Sequence, residues 1–215
     1  MTVLRTVAVS IGREHNLLID TEHLHHWMQA IRQSPDPMRT MDAFWSGQLK
    51  SKEWLIEALS MQFSVKDDPV SVEIHGGWVG VLASMLFQSS IPIKRITSHD
   101  IDPACEPIAI LMNKQEEMDG RFQAMTGDMC SLISFVNVVI NTSCEHITQP
   151  QYDRWLNNRN KDQLLVLQSN NYKIEEHVRT ADSLAEFIEQ SHINVLWSGE
   201  LKLPLYTRWM LIGKQ

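Results

Sequence analysis

With 215 residues, 43% of them hydrophobic and 21% charged, the chain has an ordinary globular composition and enough length to bury a substantial single core. Its longest apolar runs fall short of the roughly twenty residues a membrane helix needs, Arg5 and Arg13 flank too short a run for a signal peptide, and a net charge of −7 disfavours broad nonspecific binding to phosphate backbones. A cytoplasmic protein is expected, and the three cysteines Cys105, Cys130 and Cys144, with no CxxC pair, argue against a disulfide framework or a thiolate zinc site.

Helices come first along the chain. Leu24, Trp27, Met28 and Ile31 fall at i, i+3, i+4 and i+7, with Asp20 or Thr21 able to cap the start and Ser34-Pro35-Asp36-Pro37 ending the segment. Trp45, Leu49, Ile56, Leu59 and Phe63 mark a second helix, which Lys66-Asp67-Asp68-Pro69 closes. Val70, Val72 and Ile74 then form a β-branched run suited to a buried strand; Gly76 and Gly77 permit a sharp turn, and Gly80 lets Val79 to Phe87 pack closely on the sheet. Further strands are expected at Ile93 to Ser98, Phe122 to Met125, Phe135 to Ile140 and Leu164 to Gln168, with helical periodicity at Pro103 to Glu117 and Ala181 to Gln190. Such alternation implies a doubly wound, mostly parallel sheet covered by helices on both faces. Residues 1–69 are expected to form a helical extension packed on a Rossmann-like unit of residues 70–215, one compact domain overall.

The last two strand-like runs, Asn194 to Leu201 and Tyr206 to Gly213, are joined only by Lys202-Leu203-Pro204-Leu205. That link is too short for a crossover helix, so the two should pair antiparallel. From Val70 to Lys214 the chain resembles the class I S-adenosylmethionine-dependent methyltransferases, whose seven-stranded sheet ends in such a hairpin. The resemblance implies the Rossmann-like fold, S-adenosylmethionine as cofactor and S-adenosylhomocysteine as product. It places Glu73 near the methionyl amino group and Gly76, Gly77 and Gly80 in the turn beneath ribose and methionine, although HGGWVG departs from the family's E/D-x-G-x-G-x-G. Asp100 matches the ribose-binding acid, with Ile101 against the adenine face. Asp128 matches the acid that receives the adenine amino group, with Met129 beside the ring. Asp102 and Asp128 also suit helix capping.

Chemistry is expected in Val138-Val139-Ile140-Asn141-Thr142-Ser143-Cys144-Glu145-His146, because the C-terminal end of a strand in an open α/β sheet faces the crevice. Methyl transfer is an in-line displacement at carbon, driven by holding nucleophile and sulfonium in line, with a base needed only if the acceptor loses a proton. Asn141 is also a cofactor candidate. It lacks the prolines and aromatic that accompany it in enzymes methylating base amines. His146 is the candidate general base, with Glu145 to orient it; the alternative is an exposed helix start. Cys144 is either a nucleophile or, more in keeping with a small thiol, a buried one.

Other features stay open at this level. His23, His25 and His26 cluster without a further ligand, so no metal site is expected. His75 and His99 flank the turn and the ribose acid. Trp27, Trp45 and Trp54 are core or part of a lid, and Gln48, Lys50 and Lys52 either reach an anionic group or form a solvated helix face. Arg154, Arg159, Lys161, Lys173 and Arg179, interleaved with Tyr152, Trp155 and Tyr172, suit single-stranded nucleic acid, and Ser169-Asn170-Asn171-Tyr172 opens on the crevice. The expected function is therefore methyl transfer to a small-molecule or nucleic-acid acceptor. The alternatives are another use of the same cofactor, such as aminoalkyl transfer or cofactor cleavage, or a catalytically silent binding subunit.

Overall fold

The computed structural model describes residues 21–64 and 67–215, so Asp20, the side chain of Thr21, Lys66, Arg5 and Arg13 lie outside the described residues. Three leading helices, α1 (Thr21–Gln33), α2 (Pro37–Asp42) and α3 (Ser46–Ser60), precede β1 (Val70–His75), α4 (Val81–Phe87) and β2 (Ile93–Asp100). Then follow α5 (Cys105–Met112), α6 (Lys114–Met118), β3 (Phe122–Thr126), β4 (Val138–Asn141), α7 (Gln149–Asn157), β5 (Leu164–Asn170), α8 (Leu184–Ser191), β6 (Asn194–Lys202) and β7 (Thr207–Lys214).

The sheet has seven strands in the order β3-β2-β1-β4-β5-β7-β6. Strands β1 to β5 are mutually parallel, whereas β7 runs antiparallel to both β5 and β6. The order reverses between β1 and β4, and there His75 pairs with Asn141. This reversal is where an open α/β sheet offers a crevice at its C-terminal edge. The doubly wound sheet and the closing hairpin are as the sequence implies.

Alternation along the strands separates two apolar layers. Val72, Ile74, Ile96, Val138, Ile140, Val166 and Ile212 face Leu55 and Leu59 of α3 and Leu82 and Leu86 of α4. On the opposite face Val139, Leu165, Leu167 and Leu211 meet Tyr152 and Trp155 of α7 and Phe187 of α8. Between β3 and β4 the chain forms a 3-10 turn, Met129–Ser131, in place of a longer helix. That same face over β1, β2 and β3 consequently borders a cavity of about 350 Å³, lined by Glu73, Thr97, His99, Gln123 and Met125 among others. No helix among the described residues is long and apolar enough to cross a membrane.

Local departures from the sequence expectation have identifiable causes. The helix expected over Pro103 to Glu117 divides at Asn113, whose side-chain amide donates to the carbonyls of Gly80 and Ala109, both at 3.0 Å. The strand expected from Phe135 begins only at Val138. Gln163 ties the carbonyls of Ser134 and Val136 away from the ladder, leaving Phe135 85% exposed. Helix α2 forms where a terminator was expected, because Asp36 caps it by accepting from Arg39 N–H and a proline opens it. Helix α7 sits in the segment read for its basic and aromatic content. Gln151 Oε1 accepts from Thr148 N–H at its start.

Candidate functional site at the C-terminal edge of the sheet

The glycine turn after β1 is dictated by backbone geometry and close packing. Gly76 and Gly80 have φ of +68° and +80°, a region costly for residues with a Cβ. A Cβ on Gly76 would lie 2.0 Å from Ser143 Oγ, one on Gly77 1.9 Å from Ser98 Oγ, and one on Gly80 3.1 Å from Ala109 Cα. Trp78 also adopts positive φ, +49°. Its N–H donates to Asp100 Oδ2 at 2.8 Å, so the acid at the tip of β2 holds the turn in place. The leading helices pack beside this turn. Trp27 and Phe44 lie against Val79 and Val81, and Trp27 Nε1 donates to Ser84 Oγ at 3.1 Å.

The residues named from the sequence divide into three groups. Asp100, Ile101 and the glycine turn share the tips of β1 and β2; Ile101 is 73% exposed, and Asp100 Oδ1 also accepts from Asp102 N–H. Asp102 accepts from Ala104 N–H within the turn before α5 and pairs with Arg39 at 2.5 Å; the N-cap of α5 is Ala104, which has no side-chain cap, so Asp102 does not cap the helix as the sequence suggested. Asp128 is exposed at the end of β3, with Oδ1 accepting from Cys130 N–H and Oδ2 from Ser131 Oγ, and Met129 is half-buried beside it. Asn141 is buried at the tip of β4, accepts from Ser143 N–H and has no partner for Nδ2 among the described residues.

Glu73 stands apart from both tips, facing the cavity on the open sheet face. Its carboxylate is 3.4 Å from His75 Nε2 and 4.0 Å from Arg159 Nη1. Although burial raises its pKa, hydrogen bonds from His75 and Ser134 bring it below the usual carboxylate range. Burial pushes the His75 imidazole down to about 4, against the opposing pull of Glu73. It lowers His99 as well.

The third group forms the far end of the crevice, at β4, β5 and β7. Glu145 is 1% exposed; its Oε1 accepts from Asn170 Nδ2 at 2.6 Å and lies 3.3 Å from Arg208 Nη2. Arg208 also donates to Gln168, which meets Ser51 of α3. Lys52, the residue after Ser51 in α3, is half-buried, and burial first, then Arg208, push its ammonium down to about 7. His146 is exposed, beside His177 from the loop after β5, with ring centroids 4.7 Å apart. Arg208 and His177 carry no signal in the sequence, because one interrupts an apolar strand and the other lies in a loop without periodicity. All three thiols are buried, and burial pushes Cys144 up to about 12, Cys105 to about 12 and Cys130 to about 11, which disfavours the thiolate form.

Half of the basic and aromatic segment faces inward, whereas Arg154, Lys161, Tyr172 and Lys173 are exposed. Tyr152 and Trp155 are fully buried, Arg159 and Arg179 nearly so, and the Arg179 guanidinium sits 3.9 Å over the Tyr152 ring. Tyr152 and Trp155 therefore present no face on which a base could stack.

This strand order, reversal point and terminal hairpin define the class I S-adenosylmethionine-dependent methyltransferase fold. Among solved structures, magnesium protoporphyrin IX methyltransferase (ChlM) from Synechocystis PCC 6803 with bound SAH is similar at TM-score 0.63 and 14% identity, covering 96% of this chain and 98% of that one. The mitomycin 7-O-methyltransferase MmcR matches at TM-score 0.61 and 15% identity over 88% of this chain, which spans only 60% of MmcR. The [4+2]-cyclase SpnF matches at TM-score 0.60 and 12% identity over 78% of this chain and 82% of its own. No family model and no curated protein matches the sequence.

Proposed function

We propose that the protein binds S-adenosylmethionine across the glycine turn and the tip of β2, and transfers its methyl group to a small-molecule acceptor held at the ends of β4 and β5. The observation that carries this reading is Asp100, a carboxylate fixed beside the turn at the tip of the second strand, next to exposed Ile101. A carboxylate there suits the two ribose hydroxyls, Ile101 the adenine face, and the unpartnered Nδ2 of Asn141 offers a donor beneath the crevice. Asp128 and Met129 stand at the next strand tip, where an adenine edge would reach. Glu73 reaches such a ligand only through the turn, since its carboxylate faces the cavity. The bound cofactor supplies an electrophilic methyl group.

This chain's own residues orient the acceptor and take its proton. Lys52, with its ammonium pushed down to about 7, is able to accept a proton near neutral pH. Glu145, held by Asn170 and Arg208, places a fixed negative charge at the acceptor end, with His146 at its rim. The buried aromatic residues of α7 favour a small acceptor over nucleic acid.

A catalytically silent subunit is the second reading. It draws support from Asp100 and Asp128, each of which uses both carboxylate oxygens within the protein. Thermal unfolding with saturating S-adenosylhomocysteine, with S-adenosylmethionine and NAD alongside, separates the two. At a hundredfold excess over its dissociation constant, a native-state ligand adds about 2.7 kcal/mol, raising the midpoint by roughly 5 to 10 °C. A rise with the adenosyl ligands, lost in Asp100→Asn, supports the proposal. No shift with either adenosyl ligand refutes cofactor binding; where a shift is seen, product analysis distinguishes methyl transfer from aminoalkyl transfer or cofactor cleavage.

A further inference from the structure

We propose that Glu145, His146 and His177 form a binding site for a divalent transition-metal ion of the zinc type. Glu145 and His146 belong to the 3-10 turn Cys144–His146 that follows β4, and His177 to the loop that follows β5. The two loops are locked together, since Arg179 N–H donates to the Glu145 carbonyl at 3.1 Å. One donor atom from each of the three side chains lies within 4.8 Å of the others. Ligands about 2.0 to 2.2 Å from a tetrahedral ion stand roughly 3.4 Å apart, so modest side-chain rotation closes the set.

Proton placement supports the assignment. His146 Nδ1 lies 3.2 Å from the Glu176 carbonyl, and His177 Nδ1 lies 2.6 Å from the Tyr172 carbonyl. A carbonyl only accepts, so each Nδ1 carries a hydrogen, and in the neutral ring this leaves Nε2 as the nitrogen with the lone pair that a metal would take. The carboxylate is prepared likewise. Asn170 and Arg208 hold Oε1, whereas buried Oε2 has no partner among the described residues. An unpaired buried carboxylate oxygen is costly, and a cation at Oε2 would satisfy it. Arg208 is the competing positive charge; it is directed to the other oxygen and to Gln168.

A second cluster of the same composition shows what fails. Glu73, His75 and His99 also bring their donor atoms within 4.8 Å. There, however, Trp155 Nε1–H donates to His75 Nδ1 at 2.7 Å, which puts the imidazole hydrogen on Nε2, facing Glu73. Arg159 Nη1 stands 4.0 Å from the same carboxylate. A proton and a guanidinium already occupy the position a metal would need.

Two imidazoles and one carboxylate favour zinc, cobalt or iron(II) over magnesium or calcium. Three protein ligands leave a coordination position for a water or an acceptor oxygen at the end of the crevice where we place the acceptor. Metal binding goes beyond the methyl-transfer reading and does not depend on it.

The test is a titration of the chelator-stripped full chain with Co²⁺, read by its visible d–d absorption, followed by displacement with Zn²⁺. One equivalent should bind with a low-symmetry spectrum. His146→Ala or His177→Ala should weaken it by more than the roughly 10- to 100-fold that removing a supporting partner costs, while His26→Ala leaves it unchanged. Circular dichroism confirms that the variants are folded, and both substituted side chains reach solvent. No Co²⁺ binding to the wild type overturns the proposal, as does binding that survives the double substitution. The S-adenosylhomocysteine shift, measured on the same stripped samples, reports separately on the cofactor reading.

Discussion

His75 offers a quantitative test of the buried network beneath the glycine turn. The ring is fully buried, receives the Trp155 indole hydrogen, and has its pKa pushed down from 6.5 to about 4, chiefly by burial. Between those two pH values the unfolded chain binds a proton that the native protein does not. Stability is therefore fully present above the unfolded pKa and is lost as pH falls toward the folded one, by roughly 3 kcal/mol in all. His75→Gln removes the titrating group while keeping an acceptor for Trp155. Its cost at neutral pH should be about 1 to 3 kcal/mol. Urea unfolding of both proteins from about pH 7.5 down to about pH 5 measures the slope. Glu73, held below its ordinary 4.5, contributes its loss below this window, and His99 contributes a remnant slope of the same sign. The variant should accordingly lose stability less steeply than the wild type. An unchanged slope would show that His75 is protonated in the native state and that the proton placement argued from Trp155 is wrong.

Two further outcomes follow from local geometry. Gly76→Ala forces a Cβ into Ser143 at a φ of +68°. Positive φ alone should cost about 1 to 2 kcal/mol and the overlap about 1 to 3 more. Adding Ser143→Gly should recover the second part only, as read by a denaturation double-mutant cycle. For Lys52 the folded pKa is pushed down from 10.5 to about 7, so the native state binds fewer protons between those values and stability rises with pH across that window. Lys52→Met should therefore stabilise the fold most below neutrality, with the advantage shrinking toward the unfolded pKa. The same variant should lose methyl transfer without losing the S-adenosylhomocysteine shift.

The parts of the molecule that depend on short-range pattern were legible in the chain. Alternating β-branched runs located the strands, and the four-residue link Lys202–Leu205 predicted the antiparallel hairpin. The position of Asp100 at a strand tip was readable from the end of the β-branched run, whereas Ile101 and Asp128 were singled out only by the family resemblance. What escaped depends on tertiary partners. The break at Asn113 exists because its amide reaches Gly80, 33 residues earlier. The early exposure of Phe135 exists because Gln163 captures the loop carbonyls. Glu73 could be placed on the face opposite Val72 and Ile74 by alternation alone, yet nothing in the sequence indicates that this face lacks a covering helix over β1 to β3. His177 joins Glu145 and His146 only because two loops meet at one end of the sheet.

That uncovered face also explains the inward turn of α7. With only a 3-10 turn between β3 and β4, the polar side chains Glu73, His75 and His99 have no apolar helix above them. Trp155 and Arg159 reach this set from α7, the indole donating to His75 and the guanidinium approaching Glu73. Arg159 is anchored in turn to the carbonyls of Trp155 and Leu132, which ties the loop before β4 to the same helix. His75 is the last residue of β1, immediately before Gly76, and pairs with Asn141 across the reversal point. Trp155 and Arg159, two of the residues that suggested nucleic-acid binding in the sequence, thus brace the strand from which the glycine turn departs. Their role is structural: they fix the backbone of the turn on which, in the proposed function, a cofactor would rest.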